Sequence, residues 1–298
     1  MSSMSISGRA VSKRRHRDSI RALLAKIPIL TYHKIENRRE VGINALPPEH
    51  FQAQLACLQE LGYTTITFHD LLDSPELPEK AVILTFDDGY ASVYEHALPL
   101  MQPYGFRGVV YAVGRFIGRW NDWDANLGGI RFRHMDRRQL RELADAGWEV
   151  GAHSLTHRAL SWLDETSLHR EIFGSRDLLA DVAGRMPASF AYPFGMHHLR
   201  VREMVKAAGF AFACGGINSA AEAVDPLQLR RIPVYQFEGL SAYRKKLRIA
   251  GLPRLEYLKL RILSWPAVLT PLYQKRFRRE LFLEMEGMPG VYSNNSND

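Results

Sequence analysis

The chain has 298 residues, of which 46% are hydrophobic and 10% aromatic, enough for a sizeable core in one large domain or two smaller ones. Its two cysteines, Cys57 and Cys214, show no metal-ligand spacing, so neither a disulfide framework nor a cysteine-based metal site is expected. The net charge of +7 is uneven, because both ends are basic whereas residues 27–240 are mildly acidic.

The first 27 residues are basic and polar, and we treat them as a separate N-terminal segment, 1–27. This segment contains no apolar run of the roughly 7 to 15 residues found in a secretory signal. No stretch of the chain reaches the roughly 18 to 20 apolar residues of a spanning helix. We therefore expect a cytoplasmic protein.

Short apolar runs alternate with longer helical patterns over the next two hundred residues or so. Repeating strand–helix units predict a parallel sheet, and their number in about 200 residues favours a closed α/β barrel. We expect this barrel domain to span residues 28–238. The expected strands are 28–33, 63–67, 81–86, 107–113, 148–152, 188–192, 210–214 and 230–234. The expected helices lie near 48–61, 90–102, 136–146, 163–182 and 198–208.

The apolar run 81–86 ends abruptly in Asp87, Asp88 and Gly89. This pattern predicts a buried strand whose end presents two carboxylates at a turn. Neighbouring carboxylates repel each other unless a proton or a cation relieves the repulsion. An isolated Asp-Asp-Gly is more commonly a solvated turn, and further ligands are needed to favour a metal site.

Two imidazoles, those of His153 and His157, stand four residues apart after a later apolar run. Such a pair is more often two surface histidines than a metal site. Combined with one carboxylate, however, it would form a three-ligand site with an open position, the pattern of a hydrolytic metal centre. Between the two motifs, the long loop 114–134 carries Trp120 and Trp123, which could either stack on a sugar ring or cover the barrel top.

With a third segment, the chain resembles the polysaccharide deacetylases, the NodB-homology or carbohydrate esterase family 4 group. TFDDGY at residues 85–90 is similar to the first family motif, HSLTH at 153–157 to the second, and AYPFG at 191–195 to a variant of the third. The resemblance covers roughly residues 28 to 235. It implies a distorted (β/α)7 barrel, which agrees with the barrel expected from the alternating pattern.

The resemblance also implies roles for individual residues. Asp88, His153 and His157 would bind a divalent metal, with Zn²⁺ as the first choice. Asp87 would be the general base that takes a proton from the attacking water molecule. A backbone N–H near Phe194 would stabilise the oxyanion. The residues expected to contact the substrate are Tyr192, Pro193 and Trp123.

The chain departs from the family pattern at two positions. Ala191 stands where the third motif commonly has an arginine that orients the base, and no histidine follows Pro233 to serve as the late general acid. For the arginine, Arg231 and Asp225 are candidate substitutes. For the acid we prefer His33, at the end of the first strand. His197 and His198 are the alternatives, and His134 is among the histidines that receive no role.

The segment 239–298 is expected to form a basic helical extension. Between residues 241 and 283, Lys and Arg interleave with large apolar side chains, and prolines divide the segment into short amphipathic helices. Such helices either contact an anionic membrane surface or pack on the barrel with their charges in water. No nucleic-acid motif accompanies the charge, so nucleic acid is not an expected partner.

Together these patterns predict a metal-dependent hydrolase that removes N-acetyl groups from an N-acetylated saccharide, lipid-linked or free, and releases acetate. A related amide or formyl hydrolase and a catalytically inactive carbohydrate-binding scaffold are the alternatives. A glycosidase is disfavoured, because adjacent acids at one turn cannot easily straddle a glycosidic bond at separations of roughly 5 to 9 Å.

Overall fold

A curled sheet of parallel strands forms the centre of the computed structural model. The structure describes residues 22–38, 44–73, 76–124, 126, 129–217, 224–248, 258–261 and 269–287. Most of the expected N-terminal segment 1–27 lies outside the described residues, as do parts of the extension.

The strands of the described residues are β1 (Ile29–Tyr32), β2 (Lys34–Ile35), β3 (Ala45–Leu46), β4 (Thr64–Thr65), β5 (Ala81–Phe86), β6 (Val109–Ala112), β7 (Glu149–Ala152), β8 (Ser189–Ala191), β9 (Phe212–Cys214) and β10 (Ile232–Pro233). The main sheet has the order β10-β1-β5-β6-β7-β8-β9, all parallel, with β4 paired to the start of β5. Leu229, just before β10, bridges Cys214 of β9, and the two ends of the sheet therefore approach each other. The expected distorted (β/α)7 barrel is confirmed.

The helices are α1 (Pro48–Glu60), α2 (Phe68–Asp73), α3 (Leu98–Met101), α4 (Arg137–Asp145), α5 (Glu165–Ala183), α6 (Leu199–Ala207), α7 (Leu240–Lys246), α8 (Leu269–Phe277) and α9 (Arg279–Gly287). The helix expected near 90–102 is interrupted by a π-helical turn at Val93–Ala97. Pro99 explains the change, because proline has no N–H to donate and crowds the carbonyl four residues earlier. Helix α2, which the sequence pattern missed, has only six residues.

Alternate residues of each strand separate two apolar layers. Inside the barrel, residues such as Ile83, Tyr111 and Phe212 pack together with the residues that close its amino-terminal end. On the outer face, residues such as Leu84 and Val150 pack under the helices. The same alternation points the residues that follow β1, β5 and β7 inward at the carboxyl-terminal rim.

Parts of the extension pack on the barrel. Tyr243 of α7 is buried, and its hydroxyl contacts that of Tyr32 at 3.3 Å. Phe282 and Met285 of α9 are buried beside the loops that follow β6. Within the described ranges, none of the helices combines the length and the apolar character that crossing a membrane requires. The apolar residues expected at 249–257 and 262–268 lie outside the described residues.

Candidate active site and metal centre

The rim of the barrel brings the two acids and the two imidazoles together, as the motif spacing predicted. Asp87 and Asp88 follow β5 directly, and His153 follows β7; all three are buried. His157 returns to the same place through the tight turn 153–157. The four residues therefore share one site, whereas the roles assigned to them stay predictions.

Asp88, His153 and His157 point three ligand atoms at a common point. The Oδ1 atom of Asp88 lies 3.6 Å from Nε2 of His153 and 3.3 Å from Nε2 of His157, and the two Nε2 atoms are 3.2 Å apart. Three atoms that each carry a lone pair gain nothing from such a close approach unless a proton or a cation lies between them. These are the residues that could hold a metal.

The spacing and the protonation states both suit a divalent cation. Tetrahedral zinc with bonds of about 2.0 to 2.1 Å separates its ligand atoms by about 3.3 to 3.4 Å, close to the observed distances. Burial lowers the pKa of His153 to about 4, so its imidazole is neutral at pH 7 and can offer a lone pair. For Asp88, burial opposes ionisation, but the hydrogen bond and charge of His157 outweigh it and hold the pKa well below its usual range.

The backbone of the site is strained. Asp88, Ser154, His157 and Phe194 have φ values of 69°, 63°, 58° and 60°, in the left-handed region that residues with a side chain rarely adopt. Such conformations cost of order 1 to 3 kcal/mol each and persist only when the surrounding contacts impose them. The concentration of strain at this rim is typical of a functional site.

Neighbouring groups orient two of the three ligands. Nδ1 of His153 lies 2.7 Å from the carbonyl oxygen of Ala191, and Nδ1 of His134 lies 2.7 Å from that of Asp88. The indole N–H of Trp123 donates to Nε2 of His134 at 3.3 Å, which leaves the His134 proton on Nδ1 to donate to Asp88. His134, which received no role from the sequence pattern, therefore supports a predicted metal ligand.

A carboxylate from α5 holds the loop that carries both histidines. Glu171 is buried, and its Oε2 atom accepts hydrogen bonds from the backbone N–H groups of Leu155 and Thr156, both at 2.9 Å. Its other oxygen accepts from the Thr156 hydroxyl. The Ser154 hydroxyl accepts from the His157 N–H at 3.0 Å and completes the turn.

Arg231, one of the two candidates for the arginine that is missing at Ala191, contacts Asp87 directly. Its guanidinium donates to both oxygens of Asp87, at 2.5 and 2.7 Å, and also to the carbonyl of Gly215 at 3.1 Å. Burial would raise the pKa of Asp87, but the charge of Arg231 overcomes this and keeps the carboxyl ionised. The other candidate, Asp225, pairs instead with Arg202 at 3.3 Å.

The three histidines considered as general acids lie in different surroundings. His33 is half-buried at the end of β1, and its charge helps to lower the pKa of both Asp87 and Asp88. Burial lowers the pKa of His197 to about 4, so it is unprotonated at neutral pH, and its ring lies 4.4 Å from that of Tyr192. His198 is exposed.

The residues predicted to contact the substrate occupy the wall of the site. Tyr192 and Pro193 are buried, and the Tyr192 hydroxyl donates to the carbonyl of Leu227 at 2.9 Å. The Phe194 ring stands edge-on to His157 at 4.7 Å. Trp123 is only 3% exposed, and its ring lies 3.9 Å from that of His157. Its contact with a sugar stays a prediction; in the structure the ring packs on a candidate metal ligand.

Sequence reasoning missed three residues that support the site, namely His134, Glu171 and Gln274. Each acts on the backbone of a motif residue from a distant part of the chain: Gln274 donates to the carbonyl of His157 at 3.1 Å. A polar residue on the buried face of a predicted helix is a signal that would have marked Glu171. No such signal existed for the other two, because their roles depend on tertiary contacts.

Residues 74–213 match the family model described as polysaccharide deacetylase. The chain is 29% identical over 188 residues to YxkH of Bacillus subtilis (strain 168), whose name assigns it to the polysaccharide deacetylases, a match that covers 62% of this chain and 61% of that protein. It is 27% identical over 135 residues to the poly-beta-1,6-N-acetyl-D-glucosamine N-deacetylase of Escherichia coli (strain K12), covering 40% of this chain and 20% of that protein. The chain thus spans less than two thirds of the length of these relatives.

The fold agrees with a solved structure. The polysaccharide deacetylase BC0361 from Bacillus cereus superimposes with a TM-score of 0.64 at 22% identity, covering 74% of this chain and 69% of that one. At this identity the likeness concerns the fold, and the site rests on its own geometry.

Proposed function

Because the chain contains a polysaccharide deacetylase domain, we propose that it hydrolyses the N-acetyl amide of an N-acetylated saccharide and releases acetate. The observation that carries the proposal is the convergence of the Asp88, His153 and His157 ligand atoms beside a carboxylate, Asp87, that an arginine holds ionised. A base next to a candidate cation site is the minimal arrangement for hydrolysis of an amide.

A divalent cation at this site, which we propose to be Zn²⁺, would lower the pKa of water and polarise the amide carbonyl. Asp87 lies beside it and accepts a proton from the attacking water molecule. Arg231 keeps that carboxylate oriented and ionised. The backbone N–H groups around Phe194 supply hydrogen bonds to the developing oxyanion. Of the three candidate acids, His33 donates a proton to the leaving amine, since it is the candidate whose charge acts on both Asp87 and Asp88.

The substrate proposed is an oligomer or polymer of N-acetylated hexosamine. Several similar proteins carry the name poly-beta-1,6-N-acetyl-D-glucosamine N-deacetylase. A lipid-linked form of such a saccharide is part of the proposal, because it would place the substrate where the basic extension could contact an anionic surface.

The test is acetate release from N-acetylglucosamine oligomers by the purified full chain, combined with elemental analysis and chelation. We expect acetate release that a chelator abolishes and added Zn²⁺ restores. Asp88→Ala should remove both metal and activity, whereas Asp181→Ala, an exposed acid of α5, should change neither. Binding of oligomers without acetate release would favour the inactive scaffold, and formate release from N-formyl analogues would favour the related hydrolase.

Peripheral membrane contact by a cytoplasmic form of the protein is a separate part of the proposal. Leu272 and Phe277 of α8 are 54% and 63% exposed, and Lys275 and Arg276 lie next to them in an exposed stretch. Apolar side chains flanked by cations are typical of helices that bind anionic interfaces. We expect the chain to float with phosphatidylserine liposomes but not with phosphatidylcholine liposomes. Replacing both apolar residues with serine should abolish flotation, whereas Met186→Ser should not; flotation that survives the double replacement would reject the contact.

A further inference from the structure

The helix pair α8–α9 of the extension forms one wall of the candidate active site. Phe282 and Met285 of α9 are buried in a cluster with Val113, Phe116 and Trp123, all of which belong to the loops that follow β6. The Arg158 guanidinium, next to His157 in the chain, lies 5.6 Å from the Phe282 ring centre. The extension is therefore in contact with the loops that form the metal centre.

Gln274 makes the most direct connection. Its side chain is buried, with 3% exposure, and its amide nitrogen donates to the carbonyl oxygens of His157 at 3.1 Å and of Trp123 at 3.4 Å. These are the two residues whose ring centres lie 3.9 Å apart, with the ring planes tilted by 31°. One amide group thus holds together the two chain segments that form this ring contact.

The position of His157 depends on the Gln274 hydrogen bond more than the position of His153 does on any similar contact. A metal-binding histidine usually donates its second ring N–H to an oxygen, and this bond fixes the ring; His153 has this bond, to Ala191. Among the described residues, Nδ1 of His157 is buried and has no hydrogen-bond partner. Its ring is positioned by the Trp123 and Phe194 rings and by a backbone held at a φ of 58°.

We propose that Gln274 is a positioning residue for the metal site, which holds the His157 backbone and the Trp123 ring so that the imidazole faces Asp88 and His153. The helix pair α8–α9 is in this view part of the catalytic domain. The inference rests on the proposed function, because it assumes that the three ligands bind a cation. It adds a residue outside the segment 74–213 that matches the family.

The first test measures Co²⁺ binding to the metal-free full chain, by competition with a chromophoric chelator and by the visible d–d spectrum. Gln274→Met and Gln274→Glu keep the side-chain length but remove the donors. We expect both to weaken Co²⁺ affinity by about 10- to 100-fold and to alter the spectrum, at a temperature where circular dichroism shows the fold intact. Lys275→Ala, exposed on the same helix, should bind Co²⁺ like the wild type.

A second measurement needs no variant. Because coupling between two sites is reciprocal, a cation held partly by α8 must in turn stabilise α8. We expect Co²⁺ to slow amide hydrogen exchange in residues 269–287 of the wild-type chain. Unchanged affinity and spectrum in a folded donor-free variant, or unchanged exchange on adding Co²⁺, would overturn the role of Gln274. Absence of acetate release by a wild-type chain that does bind Co²⁺ would instead reject the proposed function and leave this role standing.

Discussion

The two ends of the barrel each hold a buried carboxylate, and the two differ in charge. Asp87, at the carboxyl-terminal rim, accepts two hydrogen bonds from the Arg231 guanidinium. Glu149, at the start of β7, accepts hydrogen bonds from the backbone N–H groups of Phe68 and His69 at 2.8 and 3.1 Å and from the Ser189 hydroxyl at 2.5 Å. None of these three donors carries a charge.

The pKa values follow from this difference. Burial pushes the pKa of both carboxyl groups upward, but at Asp87 the guanidinium outweighs burial, whereas at Glu149 the neutral donors do not, and the pKa rises to about 7. The barrel thus holds a charged acid at the rim, where the proposed function needs a base, and at the other end an acid that is about half protonated at pH 7 and binds the first turn of α2. The partner, rather than the depth of burial, decides the charge.

Asp87→Asn should have the largest effect, because it removes the proposed base and keeps the shape of the side chain. We expect kcat for acetate release to fall by about 10³-fold. Metal content should be retained, since Asp88 and the two histidines are untouched. Steady-state kinetics and elemental analysis measure the two quantities, and near-normal turnover in the variant would show that the base lies elsewhere.

Arg231→Met should have the next largest effect, because it leaves the Asp87 carboxylate buried without its cation. We expect kcat to fall by about 10²-fold and the free energy of unfolding by about 3 kcal/mol. Without the guanidinium the pKa of Asp87 rises, so the acid limb of the pH–kcat profile should move to higher pH. Arg231→Lys should recover part of the activity. An unshifted profile would mean that Arg231 does not tune the base.

Glu149→Gln should act on stability at the other end of the barrel and leave kcat unchanged. The pKa of Glu149 is about 7 in the folded chain and about 4.5 when unfolded, so the folded form binds the extra proton between these values. Stability from this group is complete below about pH 4.5 and is lost as the pH rises to about 7, by about 3 kcal/mol.

Because glutamine cannot ionise, the Glu149→Gln variant does not lose this stability as the pH rises. The free energy of unfolding of the Glu149→Gln variant relative to the wild type should therefore improve by about 3 kcal/mol between about pH 4.5 and about pH 8. Urea unfolding at several pH values measures the difference. Parallel pH dependences of the two chains would show that Glu149 is not protonated in the folded state.

The same contrast shows how far the sequence could predict the molecule. Strands, helices and the convergence of Asp87, Asp88, His153 and His157 follow from local apolar patterns and from the rule that strand ends share one rim. The sequence could name Arg231 as a candidate partner of Asp87, but it could not show that the two are in contact, because only the curling of the sheet brings β10 beside β1. Gln274 could not be found at all, since nothing local links α8 to the turn 153–157.

Gly151→Ala should have the smallest effect. It tests whether a change in packing inside the barrel alters the site at the carboxyl-terminal rim. Gly151 of β7 lies between Glu149 and His153, and an added Cβ would come within 2.6 Å of the Tyr111 ring. That ring in turn lies 5.3 Å from the Arg231 guanidinium. Overpacking of this kind costs about 1 to 3 kcal/mol, and we expect a loss within this range because the buried Tyr111 ring must shift.

Movement of the Tyr111 ring should disturb Arg231, so we expect kcat to fall by about 3-fold, equivalent to about 0.7 kcal/mol. Gly239→Ala is the matched control, because among the described residues no atom beyond its chain neighbours lies within 4 Å of the added Cβ, and it should change stability and kcat little. If Gly151→Ala lowered the free energy of unfolding but left kcat at the wild-type value, packing inside the barrel would not affect the activity of the site at the rim. The two carboxylates would then be independent features of one barrel.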